Sequence, residues 1–416
     1  MPQELVNQRY HSNESLDCTP VQSPANSKDR IVIFDGLRAL AVGMVIARHI
    51  PYWPPENRSY FLHIAKLIAG FGWMGVDLFF ALSGFLITSI LINTRNASNY
   101  FTSFYARRTL RIFPIYYLVL TAIFVARPLW LRSSGASLPA HPIWFYLFLA
   151  NWADSLTPNQ PIHVTGHFWT LAVEEQFYIL WAPCVWLIAP RNLWKVCLGG
   201  IFTAVIFRFV AFYSFAPHSD LVYKSLFTRM DTLLLGAASA ILVSRRDVMR
   251  TLKPFWGIGA LVLILVPCLI LAWQNDYAES HRSGFMQTIG YSIIAAGFAC
   301  TILWAYTNER SSGLLARVLR SKPLTSVGQV SYGMYLIHLP WLIVVWQLFN
   351  RVFHTEPNSS LPLAIAATAF LAATTYIAAK LSFDHFEAYF NRQKSRFKPR
   401  YVERPSLVRC SDEPQG

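Results

Sequence analysis

The sequence predicts an all-α fold, a polytopic integral membrane bundle of about ten transmembrane helices with both termini cytoplasmic. Three observations predict it. Hydrophobic residues make up 54% of the 416 and charged residues only 14%, against about a quarter charged in a soluble domain. Ten segments are long and apolar enough for a bilayer core, which takes about 20 residues. With the termini inside, 24 of the 36 Lys and Arg fall in inner segments and 8 in outer ones, the bias that orients membrane proteins. That placement also accounts for the net charge of +14 without nucleic acid as a partner. A barrel would instead show short alternating strands.

Taken in order, residues 1–30 are rich in Ser, Asn, Pro and Gln and read as a disordered cytoplasmic tail. The expected spans run 31–50, 72–93, 112–131, 168–189, 193–215, 226–244, 254–274, 285–306, 328–350 and 361–381. The shorter apolar piece at 143–152 reads as interfacial or re-entrant. Residues 31–383 form one transmembrane domain, and 384–416 a basic cytoplasmic tail. The six cysteines lack CxxC spacing and read as small buried residues, with no metal site expected. HExxH, GxGxxG, P-loop and GxSxG patterns are absent from the sequence, so metalloprotease, dinucleotide, NTPase and esterase readings lack support.

Ionisable residues inside a membrane are costly, and they mark functional paths. The first span, FDGLRALAVGMVIARHI, carries Asp35, Arg38, Arg48 and His49. Arg38 and His49 are eleven residues apart, which leaves a rotation of only about 20° and a rise of roughly 16 Å. Both therefore share a face; a snorkelling Arg and an interfacial His are the plainer readings. The second span brings in Asp77, with Ser83 and Gly84 deeper, where small residues let helices approach. FYARRTLRIFP places Arg108 and Arg111 on adjacent positions of a helix face at the inner side. These are ordinary positive-inside anchors, or a phosphate clamp if another site calls for an anion.

TGHFWTLAVEEQFYILW is the most informative segment. Glu174 and Glu175 lie about halfway into a span, where two acids have no cheap structural role. His167 lies seven residues before Glu174, so on a continuous helix the two share a face and suit general acid–base work. Arg229 and Asp231 read as a local pair at the outer edge of the sixth span. In SYGMYLIHLP, His338 before Pro340 reads as a satisfied hydrogen bonder at a kink, with Tyr335 nearby.

Six of these segments, in this order, resemble the membrane-bound acyltransferase family 3, the O-acetyltransferases of glycans. They are DGLRALAV with the Arg–His spacing, GVDLFFALSGFLIT, RRTLRIFPIYY, HFWTLAVEEQFYILW, RMDTLLLG and SYGMYLIHLP, and they cover the chain from Phe34 to about Phe383. The resemblance implies an acyl-CoA donor, usually acetyl-CoA, arriving from the cytoplasm, and a carbohydrate or glycoconjugate hydroxyl as acceptor. It implies that Arg38 and His49 are the needed pair of the first span, that Arg108 and Arg111 are the family's Arg-x-x-Arg, and that Glu174 and Glu175 are its acidic pair. Many relatives carry an extra span and an extracytoplasmic esterase-like domain. This chain is expected to be the transmembrane domain without them, in a bacterial inner membrane.

The mechanism so expected docks CoA phosphates on Arg108 and Arg111, together with Arg38. His49 acts as general base or as a transient acyl acceptor. A carboxylate, Glu174 by its alignment with His167, orients a histidine. Asp77, Ser83, Arg229, Asp231, Tyr335 and His338 are supporting or substrate-facing residues. The alternative from a different class is a proton-coupled transporter, because buried His, Glu and Arg also build proton relays.

Overall fold

The structure is a computed structural model that describes residues 30–50, 60–126, 141–156, 164–214, 220–273, 282–354, 356 and 359–401. The expected disordered N-terminal tail lies outside the described residues except for Arg30, and the expected basic C-terminal tail does so after Tyr401. Among the described residues every regular element is helical. Ten helices are long: α1 Val32–His49, α2 Met74–Thr94, α3 Tyr100–Val125, α4 Trp169–Leu187, α5 Leu193–Ser214, α6 Leu226–Val243, α7 Phe255–Trp273, α8 Tyr291–Thr307, α9 Lys322–Phe353 and α10 Leu361–Leu381.

By length and composition, eight helices among the described residues can cross a membrane, and they coincide with eight of the expected spans. The other two expected spans are α1 and α4, helices of 18 and 19 residues. Asp35, Arg38 and Arg48 in α1, and Glu174, Glu175 and Gln176 in α4, dilute their apolar character. These are the helices whose charged residues stand out in the sequence. One boundary moves substantially: the third span begins at Tyr100, so FYARRTLRIFP lies within α3 rather than before it.

The described residues pack as two units. The first comprises residues 30–48, 67–93 and 191–329. Its core is apolar, with Phe34, Leu37 and Ala41 of α1, Leu78, Leu82 and Phe85 of α2, and Tyr291, Ile294, Phe298 and Ile302 of α8. The N-terminus of α1 is closed by Glu309, whose two carboxylate oxygens accept the Val32 and Ile33 N–H groups at 2.9 and 3.1 Å. An anion there satisfies two donors that the helix leaves open and matches its dipole. On α7, Ile258, Leu261 and Leu269 are 62%, 63% and 59% exposed. An apolar face of this extent is built for acyl chains.

Two glycines set the approach of α2 and α6. A Cβ at Gly84 would overlap the Leu233 carbonyl, and one at Gly236 would overlap the Ala81 carbonyl. Backbone blocks both, so no side chain can swing aside. Gly84→Val is expected to lower the thermal stability of the detergent-purified protein, by about 1–3 kcal/mol or more. Gly199→Ala, which meets open space, should be neutral or mildly stabilising. Equal melting temperatures for the two variants would refute this packing.

The second unit comprises residues 49–66, 94–190 and 330–416, as far as they are described. It holds α3, α4, most of α9, and α10. Val345 and Phe349 of α9 pack with Ala364, Ala367 and Leu371 of α10. The piece expected as interfacial or re-entrant consists of two short helices, Ile143–Tyr146 and Ala150–Leu156, with Phe148 at φ 54° between them. A left-handed residue there costs energy, and polar side chains of α3 and α4 hold it. Tyr116 and Tyr117 donate their hydroxyls to the Phe145 and Tyr146 carbonyls at 2.6 and 3.0 Å. Gln176 donates to the Phe148 carbonyl and to Asn151 Oδ1, both at 2.9 Å. Backbone that leaves the helix needs partners of this kind wherever water is scarce.

Candidate active site

Three histidines of the second unit come together: His49 at the C-terminus of α1, His338 on α9, and His167 in the turn before α4. Pro340 explains one contact. It has no N–H, so the Leu336 carbonyl, four residues earlier, loses its helical donor. His167 Nε2 lies 3.1 Å from that carbonyl and donates to it. The carbonyl of His167 in turn accepts from the hydroxyls of Tyr335 and Thr170, both at 3.0 Å. The turn is thereby tied to α9 at both ends of the histidine.

His338 is 1% exposed, and its Nδ1 lies 2.6 Å from the Tyr335 carbonyl. A carbonyl can only accept, so Nδ1 carries the proton and Nε2 the lone pair of the neutral ring. His338 Nε2 lies 3.3 Å from His49 Nδ1. The proton between the rings therefore belongs to His49 Nδ1, and in the neutral ring the lone pair of His49 sits on Nε2. Ring centroids are 5.1 Å apart for His49 and His338, and 4.9 Å for His167 and His338. His167 keeps its lone pair on Nδ1, which is buried without a hydrogen-bond partner. Burial first, and then the neighbouring His49, pull the His167 imidazole from its ordinary 6.5 to about 3, so it stays neutral.

The acidic pair lies elsewhere in this unit. Arg108 donates through Nη2 to the Tyr178 hydroxyl at 2.5 Å, with the guanidinium carbon 4.3 Å from the centre of that ring. Both Glu174 and Glu175 act electrostatically on Arg108. Glu175 Oε1 and Arg108 Nε are buried without hydrogen-bond partners. Arg111 is exposed, one turn further along α3. The expected orientation of His167 by Glu174 does not form: His167 precedes α4, which begins at Trp169, its Nε2 is taken by the Leu336 carbonyl, and its Nδ1 has no hydrogen-bond partner. Histidine orientation comes from backbone carbonyls of α9 instead.

The remaining expected residues belong to the first unit. Asp35, which had no sequence-level account, accepts from Arg30 Nε at 2.7 Å and from Arg38 Nη1 at 3.1 Å. Ser83 is half-buried on α2. Arg229 and Asp231 do not pair with each other, because residues two apart face away from one another on a helix. Arg229 pairs with Asp77 at 2.5 Å, and Asp231 with Arg208 at 2.8 Å, all four fully buried. Arg229 also lies 4.0 Å over the Tyr291 ring. Ser292 donates to Asp231 at 2.6 Å, and Arg208 donates to the Thr228 and Thr288 carbonyls. Arg208 was not among the expected site residues, although an arginine in the middle of an apolar span is itself a signal. Among the described residues no group of three or more His, Cys, Asp or Glu could hold a metal ion.

A family model described as an acyltransferase domain matches residues 31–380. The peptidoglycan O-acetyltransferase OatA of Listeria monocytogenes is 30% identical over 87% of this chain and 56% of its own length. The putative peptidoglycan O-acetyltransferase YrhL of Bacillus subtilis is 29% identical over 82% of this chain and 53% of its own. The O-acetyltransferase OatA of Staphylococcus aureus strain NCTC 8325 is 28% identical over 75% and 50%. The chain thus spans about half the length of the curated relatives it matches. No solved structure matches it. An enzyme of acyl transfer, rather than a transporter, is the class these matches carry, and the chain belongs to the membrane-bound acyltransferase family 3.

Proposed function

We propose that the chain is a membrane-embedded O-acyltransferase of the bacterial inner membrane. It moves an acyl group, expected to be acetyl, from acyl-CoA on the cytoplasmic side to a carbohydrate hydroxyl. The relatives' names make peptidoglycan sugars the first acceptor to test. The observation that carries the proposal is the 3.3 Å approach of His49 Nδ1 to His338 Nε2, with His338 anchored on the Tyr335 carbonyl.

That anchor leaves His49 Nε2 as the proton acceptor. As the acceptor oxygen bonds to the thioester carbon, His49 Nε2 takes the hydroxyl proton. The carbon–sulfur bond then breaks, and His49 returns the proton to the departing thiolate. While His49 is doubly protonated, its Nδ1–H bond to His338 becomes charge-assisted and lowers the barrier. Arg108 and Arg111 are the proposed contacts for the donor's phosphates, in keeping with the geometry of guanidinium–phosphate pairing.

The test is purified full-length protein with labelled acetyl-CoA, with and without peptidoglycan fragments. Transfer to sugar, or slow hydrolysis without it, is the expected outcome. His338→Phe should lower the rate about 10- to 100-fold, because removing the acceptor frees the His49 tautomer. His338→Gln, which keeps an acceptor, should retain more activity. Wild-type protein that leaves acetyl-CoA intact under every acceptor condition would sink the proposal.

A further inference from the structure

Residues after α10 expected as a basic tail continue instead as a π-helical turn at Ser382–Glu387, a short helix at Ala388–Gln393 and a 3-10 turn at Lys394–Phe397. Hydrogen bonds fasten residues 397–400 to the start of α3. Ser103 donates its hydroxyl to the Phe397 carbonyl at 2.8 Å. Asn99 donates through Nδ2 to the Lys398 carbonyl at 2.9 Å and accepts the Arg400 N–H at 2.8 Å. The Ser98 N–H donates to the Arg400 carbonyl at 2.8 Å. The extended end of the segment is therefore clamped by backbone and short side chains, with no ion pair in the clamp.

The clamp brings Lys394 within electrostatic reach of Arg107, Arg108 and Arg111 on α3. Lys394 Nζ donates to Asn391 Oδ1, a neutral partner, and makes no ion pair among the described residues. The nearby carboxylate is Glu387, which acts on both Arg111 and Lys394 and accepts from Ser382 at 3.4 Å. Glu174 and Glu175 act on Arg108. The cations repel one another where these three carboxylates do not offset them, and a bound anion would relieve that repulsion. The clamp consists of neutral hydrogen bonds, and it holds the segment that carries Lys394 against the start of α3.

We propose that Lys394 completes a phosphate site with Arg107, Arg108 and Arg111, and that this site binds the phosphate groups of the acyl-CoA donor. The assignment rests on the acyl-CoA reading above. Lysine supplies a compact charge beside the planar arginine forks, a division of labour suited to several phosphates on one ligand. The same chemistry would accept a phospholipid headgroup, so the test separates the two.

Full-length protein is placed in nanodiscs of zwitterionic lipid, and CoA binding and the KM for acetyl-CoA are measured. Lys394→Gln is expected to raise both Kd and KM about tenfold, the scale of one charge-assisted contact, with kcat within about twofold. Lys394→Arg should recover most of the loss. The difference should shrink as salt rises. Ser103→Ala, which loosens the clamp and keeps the cation, should raise KM by about threefold; it is the deciding variant if Lys394→Gln does not purify folded. Wild-type binding of CoA with no change in either variant overturns this assignment and leaves the donor reading standing. Wild type that does not bind CoA overturns both. An effect of Lys394→Gln seen only as lost retention of phosphatidylglycerol assigns the site to lipid and overturns the donor assignment.

Discussion

His49→Ala is expected to reduce acetyl transfer by about 100- to 10,000-fold, the usual contribution of a positioned general base. His49 ends α1 and is half-buried, so truncation leaves the helix and its apolar packing in place. What disappears is the Nε2 lone pair whose position the His338–Tyr335 arrangement defines. The KM for acetyl-CoA should move little, since the proposed phosphate contacts lie on other residues. A rapid chemical quench separates the two roles open to His49. Acetyl-histidine trapped in wild-type protein assigns a covalent intermediate; transfer at full rate without a trapped species assigns the base. Unchanged transfer by correctly inserted His49→Ala would end the model of the site.

The second large effect is on stability. Asp77→Ala is expected to destabilise the protein by about 3–5 kcal/mol, because Arg229 would be left as an uncompensated charge. Both partners are fully buried at 2.5 Å, and Thr232 adds a bond to the same carboxylate oxygen at 3.4 Å. The reason is the environment rather than the pair itself. Burying two charges is costly, and their attraction largely offsets that cost; one charge without the other is worse than neither. The double variant Asp77→Ala/Arg229→Met should therefore recover much of the loss. Tyr291 and Tyr223 already face the guanidinium and can pack against a thioether. Unfolding in detergent, followed as a double-mutant cycle, reads this directly. A single Asp77→Ala variant as stable as wild type would refute it.

The helices and their charged residues were legible in the sequence to different degrees. Eight spans were readable from apolar length, because a bilayer imposes one scale on every crossing helix. The start of α3 was not, since polar and basic residues at its inner end continue the helix beyond the apolar run. Glu174, Glu175, Arg108 and Arg111 stood out by composition. Their partners did not, because pairing across helices depends on which face each presents after packing. Arg229 beside Asp231 shows the error this invites: proximity in sequence suggested a pair, and helical geometry sends the two to different partners. Tyr178 and Lys394 escaped notice for the opposite reason, one being an ordinary aromatic in a span and the other a charge in a run of charges.

The helical membrane character, the crossing segments and the costly residues they carry could all be read from the order of amino acids. Each follows from local chemistry, since hydrocarbon rejects charge and unpaired backbone wherever it meets them. How the histidines are used emerged only once the helices were packed. Pro340 frees a carbonyl for His167, the Tyr335 carbonyl holds the His338 proton, and the lone pair of His49 follows from that second contact. A tautomer depends on what lies within about 3 Å of each nitrogen. Folding brings His49 to 3.3 Å from His338 and His167 to 3.1 Å from the Leu336 carbonyl, at separations no sequence period encodes.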